Sequence, residues 1–155
     1  MTKTKKLLIL ILLAVSLIFN IFQLFQKEEY ESKMDTANTE FSIALQTISI
    51  GIEFIENENR DKLLAIAMLS CGTAEASALY KYTSYYEENT DLDNVLWTLN
   101  NNITNNNTIT EVLQKNDLSI LIPVIKKLDR NPLDLKATEE LRNLVIRYTS
   151  IHYIR

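Results

Sequence analysis

Residues 7–25 read LLILILLAVSLIFNIFQLF, with no charged side chain anywhere in the run. At about 1.5 Å per residue, these 19 residues form a helix of roughly 28 Å, enough to cross a bilayer core of about 30 Å. A core helix of a water-soluble protein carries polar residues along one face, and the first two-thirds of this run has almost none. A retained membrane anchor is the reading that fits. The alternative is a cleaved signal peptide, for which Ala14-Val15-Ser16 is a passable cleavage site. That site lies in mid-run, with Leu17 to Phe25 still apolar beyond it.

Charge gives the orientation. Lys3, Lys5 and Lys6 precede the run without an acid among them, and Lys27-Glu28-Glu29 follow it. The positive-inside bias places a short tail, 1–6, in the cytoplasm, the signal-anchor helix at 7–25, and residues 26–155 outside the cell membrane. The outer part carries 20 acids and 13 bases, a net −7. No general basic field is available for nucleic acid.

The whole chain has 155 residues, of which 46% are apolar and 23% charged, as expected of a single folded domain. Two Gly and two Pro argue against Gly-rich phosphate loops and turn-dense all-β folds. One Cys precludes an internal disulfide, and one His precludes a His-pair metal site. An outer domain rich in Asn, Ile and Lys and lacking disulfides is of bacterial type. The sequons at Asn102 and Asn106 then follow from Asn richness alone.

Outward from the anchor, a heptad runs through Tyr30, Met34, Ala37, Phe41, Ala44, Ile48, Gly51 and Ile55. Ile43, Leu45, Ile50, Ile52 and Phe54 widen it, which calls for more than one neighbour. Glu56 to Asn59 breaks the pattern. A second helix is expected from about Arg60 to Glu88, with small residues over Ser70–Ala74 and again over Ala76–Ala78. An antiparallel hairpin about Asn57–Asn59 sets Gly72 opposite Ala44, small against small.

Thr90, with Asp93 at the capping-box position, opens a third helix carrying Leu92, Val95, Leu96, Leu99 and Ile103. The Asn-rich stretch 100–107 reads as a loop. Thr108-x-x-Glu111 restarts a short helix, and Asp117 caps another. Pro123 kinks that helix or marks its first turn. A turn at Asp129–Pro132 leads to a last helix over about Leu135 to Tyr153. The expected fold is all-α: a transmembrane helix continuing into an extracytoplasmic up-down-up-down bundle with a broken third helix.

Extending the heptad backwards from Tyr30 lands on Lys27, Gln23, Asn20 and Ser16. The three uncharged polar residues Ser16, Asn20 and Gln23 therefore share one face of the membrane helix. Amides inside a bilayer normally face protein, so this face suits association with a second copy or another membrane protein. Tyr30, Tyr80, Tyr82, Tyr85 and Tyr86 form a second set, suited to the bundle core and to the membrane interface.

Signals of catalysis, of a cofactor or of a metal are absent. His152 falls on an apolar stripe near the end, and Cys71 reads as a buried small hydrophobe. Adjacent acids such as Glu87-Glu88 point in different directions on a helix. Residues 28–93 carry 14 acids and 4 bases, against 6 acids and 8 bases in 94–155. That asymmetry helps the two halves pair or presents an acidic face to a basic partner. A membrane-anchored interaction protein (small subunit, scaffold or regulator) is the expected function, with a ligand-sensing outer bundle as the alternative.

Overall fold

The computed structural model describes residues 3–57, 60–104 and 118–150. All the regular structure among them is helical: α1 (Lys3–Glu56), α2 (Lys62–Leu79), α3 (Thr90–Thr104), α4 (Ile122–Arg130) and α5 (Leu135–Ser150). Short 3-10 turns lie at Tyr80–Tyr82, Tyr86–Glu88 and Leu118–Leu121. The chain divides into two compact units, Met1–Thr36 and Ala37–Arg155.

In the first unit every side chain from Ile11 to Lys33 is exposed. This part of α1 is long and apolar enough to cross a membrane, and such a helix suits an anchor and a signal sequence alike. Beyond the apolar run the helix carries i,i+4 pairs, Lys27 with Glu31 at 3.6 Å and Lys33 with Glu29 at 2.7 Å. The Lys33 ammonium, by hydrogen bond and by charge, holds the Glu29 carboxyl below its ordinary pKa.

The second unit has one apolar core. The C-terminal part of α1 contributes Phe41, Ala44, Leu45, Ile48 and Ile52, all at most 1% exposed. Leu69 and Ala76 of α2, Leu92 and Leu96 of α3, Leu128 of α4 and Leu141 of α5 meet them. Leu45 and Ile52 do widen the seam, as expected. Ile43 and Ile50 do not, and stand 47% and 40% exposed.

The contact between α1 and α2 is antiparallel and backbone-close. A Cβ on Gly72 would lie 2.9 Å from Ile48 Cγ1 and 3.0 Å from the Ala44 carbonyl oxygen. One on Gly51 would lie 2.9 Å from the Leu69 nitrogen and 3.1 Å from the Ala65 oxygen. Gly72 thus falls on Ala44, the register set by the small residues.

Local chemistry fixes the helix ends. Asp61 caps α2, its Oδ1 accepting from Leu63 N at 2.9 Å and Leu64 N at 3.3 Å. Asp134 Oδ1 does the same for α5, accepting from Lys136 N and Ala137 N, both at 3.0 Å. Pro123 sits in the first turn of α4, where its missing N–H has no helical acceptor to lose. It starts that helix rather than kinking it.

Three expectations are corrected. The second helix stops at Leu79 rather than Glu88, because Thr83 turns extended and its hydroxyl and N–H both donate to the Tyr80 carbonyl. Asn100–Thr104 is helix, not loop: Leu99 and Ile103 are buried at 3% and 4% exposure, and their burial outweighs the poor helix propensity of Asn. Cys71 is exposed, because it precedes Gly72 by one residue, about 100° around α2, and so leaves the α1 contact. The expected restart at Thr108, the cap at Asp117 and His152 and Tyr153 at the chain end lie outside the described residues.

Candidate functional site

Ser16, Asn20 and Gln23 lie at i, i+4 and i+7 on α1, which puts them on one helical face. All three are exposed, and they are flanked by Ile18, Phe19, Phe22 and Leu24, each at least 56% exposed. The arrangement is a narrow polar line in an apolar helix. It carries a hydroxyl and two amides, each amide both donor and acceptor.

The tyrosines lie in different environments. Tyr80 is fully buried against Phe41, with ring centroids 5.1 Å apart, and Tyr86 meets it edge-on at 6.0 Å. Tyr85 and Tyr86 are half-buried on the same core. Tyr82 turns outward and is 64% exposed; Tyr30, in the first unit, is 68% exposed.

The segment between α2 and α3 is instead organised by a residue the sequence reading passed over. Asn89, 2% exposed, donates from Nδ2 to the Pro132 carbonyl and to Thr138 Oγ1, both at 2.8 Å. Its backbone carbonyl accepts from the Tyr80 hydroxyl at 2.9 Å. Asn38 adds a tie to α1, its Oδ1 accepting from Ser84 N at 2.9 Å. The 80–89 segment is therefore held to α1 and to the turn before α5. The available signal was position: Asn89 directly precedes α3, where Asn is a favoured cap, and Thr90 is the first helical residue instead.

Burial of the Tyr80 hydroxyl, aided by the nearby Asp93 and Tyr86, raises its pKa far above the ordinary 10. Below about pH 10 the phenol is neutral folded or unfolded, and the shift has no effect. Above it the unfolded chain loses a proton that the folded chain keeps, so stability falls as pH rises. Denaturant midpoints between pH 8 and 12 are expected to decline above roughly pH 10. Tyr80→Phe, less stable at neutral pH, is expected to decline less steeply.

A shallow cleft between α3 and α5 is lined by Asn94, Val95, Thr98, Arg142, Val145 and Ile146. Its one cation is already matched, since Arg142 pairs with Asp91 at 3.1 Å and Glu139 at 2.7 Å. Among the described residues no three His, Cys, Asp or Glu side chains are grouped as metal ligands. Comparison with family models, with curated proteins and with solved structures gives no match.

Proposed function

We propose that this chain is a single-pass membrane protein of bacterial type that works by binding other protein. In this reading residues 7–25 are a retained anchor, the N-terminus is cytoplasmic and residues 26–155 form an extracytoplasmic up-down-up-down bundle. It serves as a small subunit, scaffold or regulator, and its chemistry needs no cofactor. The observation that carries the reading is the exposed polar line Ser16, Asn20 and Gln23 on an otherwise apolar, uncharged helix. A membrane helix gains nothing from amides that face lipid, and gains hydrogen bonds when they face another helix.

Interhelical hydrogen bonds in membranes average about 0.6 kcal/mol, so two amides contribute on the order of 1 kcal/mol. Asn20→Leu with Gln23→Leu is therefore expected to weaken association roughly 5–10-fold in native membranes. Photo-cross-linking from position 23, with the product identified by mass spectrometry, reads both the loss and the partner. A cross-linked protein supports the reading. Lipid adducts alone, unchanged by the double substitution, count against it.

A further inference from the structure

The exposed side of α2 is almost without charge. Between Lys62 and Lys81 the only ionised side chain is Glu75. Leu63 is 78% exposed and Leu64 50%, and Ala67, Cys71, Ala74, Glu75 and Ala78 continue the same side in exposed positions. On α1, Ile43 and Ile50 are 47% and 40% exposed, each next in sequence to a residue of the close glycine contact, Ala44 and Gly51. A helix that faces only water places charges there.

We propose that this side of α2 docks on the same side of α2 in a second copy, antiparallel and centred on Cys71. Three features single out a second copy. The face has its large residues at one end, Leu63 and Leu64, and its small ones at the other, Ala74 and Ala78. Two identical helices laid antiparallel set leucines over alanines at both ends, whereas a parallel pair stacks leucine on leucine and leaves the alanines apart. The same register sets the exposed Asp61 at the start of one α2 beside the exposed Lys81 after the end of the other, twice per pair. An 18-residue helix is about 27 Å long, and with the α1 flank the strip offers on the order of 500 Å² per copy. A pair then reaches about 1,000 Å², the size at which specific interfaces begin.

This contact lies in the second unit and does not depend on the polar line of the membrane helix. Cys71 is the chain's sole cysteine and is exposed, so it reports the dyad directly. The full chain in native membranes, treated with a short thiol-to-thiol bismaleimide, is expected to give a covalent dimer. The yield should be about tenfold above that of a C71S/K136C variant, whose new thiol sits at an exposed position on α5. A74E and, independently, L63K are expected to lower the Cys71 yield about tenfold; both sites are exposed, so both variants fold. The pair N20L/Q23L should leave it unchanged, which separates this contact from one made in the membrane. A yield no higher than that of C71S/K136C overturns the proposal. So does a link that survives A74E and L63K but disappears in N20L/Q23L.

Discussion

Gly51→Leu is expected to cost about 3 kcal/mol of stability, and its combination with Gly72→Leu to leave the second unit unfolded at 37 °C. The reason is what the new atoms meet. A Cβ at Gly51 comes within 2.9 Å of the Leu69 nitrogen and 3.1 Å of the Ala65 oxygen, both backbone. At Gly72 it meets the Ile48 nitrogen and the Ala44 oxygen at 3.0 Å. Backbone cannot rotate away as a side-chain tip can, so α1 and α2 must separate, and every core contact between them loosens. Overpacking of this kind typically costs about 1–3 kcal/mol for added methylenes, and a full leucine lies at or above the top of that range. Two such losses approach the lower end of ordinary domain stability, about 5–15 kcal/mol.

A graded series separates this effect from helix propensity. In a helix open to solvent, Gly→Ala gains about 1 kcal/mol. Here Gly51→Ala is expected to lose up to about 2 kcal/mol net, with Gly51→Leu losing more. Denaturant midpoints on the full chain read the order directly. A more stable Gly51→Ala variant would mean that the two helices are not held at backbone distance.

That contact was legible in the sequence, and the reason is physical. Close helix packing demands small residues on both partners at matching spacing. Ala37, Ala44 and Gly51 on one side and the run around Gly72 on the other meet that demand. The uncharged run 7–25 was equally plain, because length and lack of charge need no tertiary context. Helix ends were harder. α2 stops after Leu79 through a Thr83 side-chain bond that no local propensity announces. The Asn-rich stretch misled in the opposite direction, because Ile103 holds one more turn of α3 in the core.

The candidate sites divided along the same line. That Ser16, Asn20 and Gln23 share a face follows from spacing alone, since a helix face is a property of one element. The tyrosines were grouped by composition and chain proximity. Whether a given ring goes inward depends on what lies behind it: Tyr80 lands on Phe41, and Tyr82, two residues on, points away. Asn89 matters through Pro132 and Thr138, more than forty positions distant, and nothing local marks such a partner.

Asn89 is accordingly the polar residue whose loss is expected to cost most. In Asn89→Ala two short donors disappear, and the Pro132 carbonyl is left without the Nδ2 hydrogen bond. The missing bonds and the desolvated acceptor together amount to about 3 kcal/mol. For a domain of this size that is a fall of roughly 10–20 °C in melting temperature. Asn89→Asp is more informative, because it keeps the shape and changes the chemistry. A carboxylate at 2% exposure would face the Pro132 carbonyl oxygen with no hydrogen to offer it. Burial raises the pKa of such an acid in the folded state above the unfolded value of about 3.9. Between those two values the folded chain binds more protons than the unfolded one, so stability falls as pH rises. Below about pH 4 the protonated acid again has one hydrogen to donate, and the deficit relative to the parent chain should shrink. Asn89→Ala, with no group to titrate, should keep the same deficit at every pH. If the two variants instead run parallel from pH 3 to pH 8, the Asn89 side chain is not buried against that carbonyl. The tie between the 80–89 segment and the turn before α5 would then have to be carried by apolar packing alone.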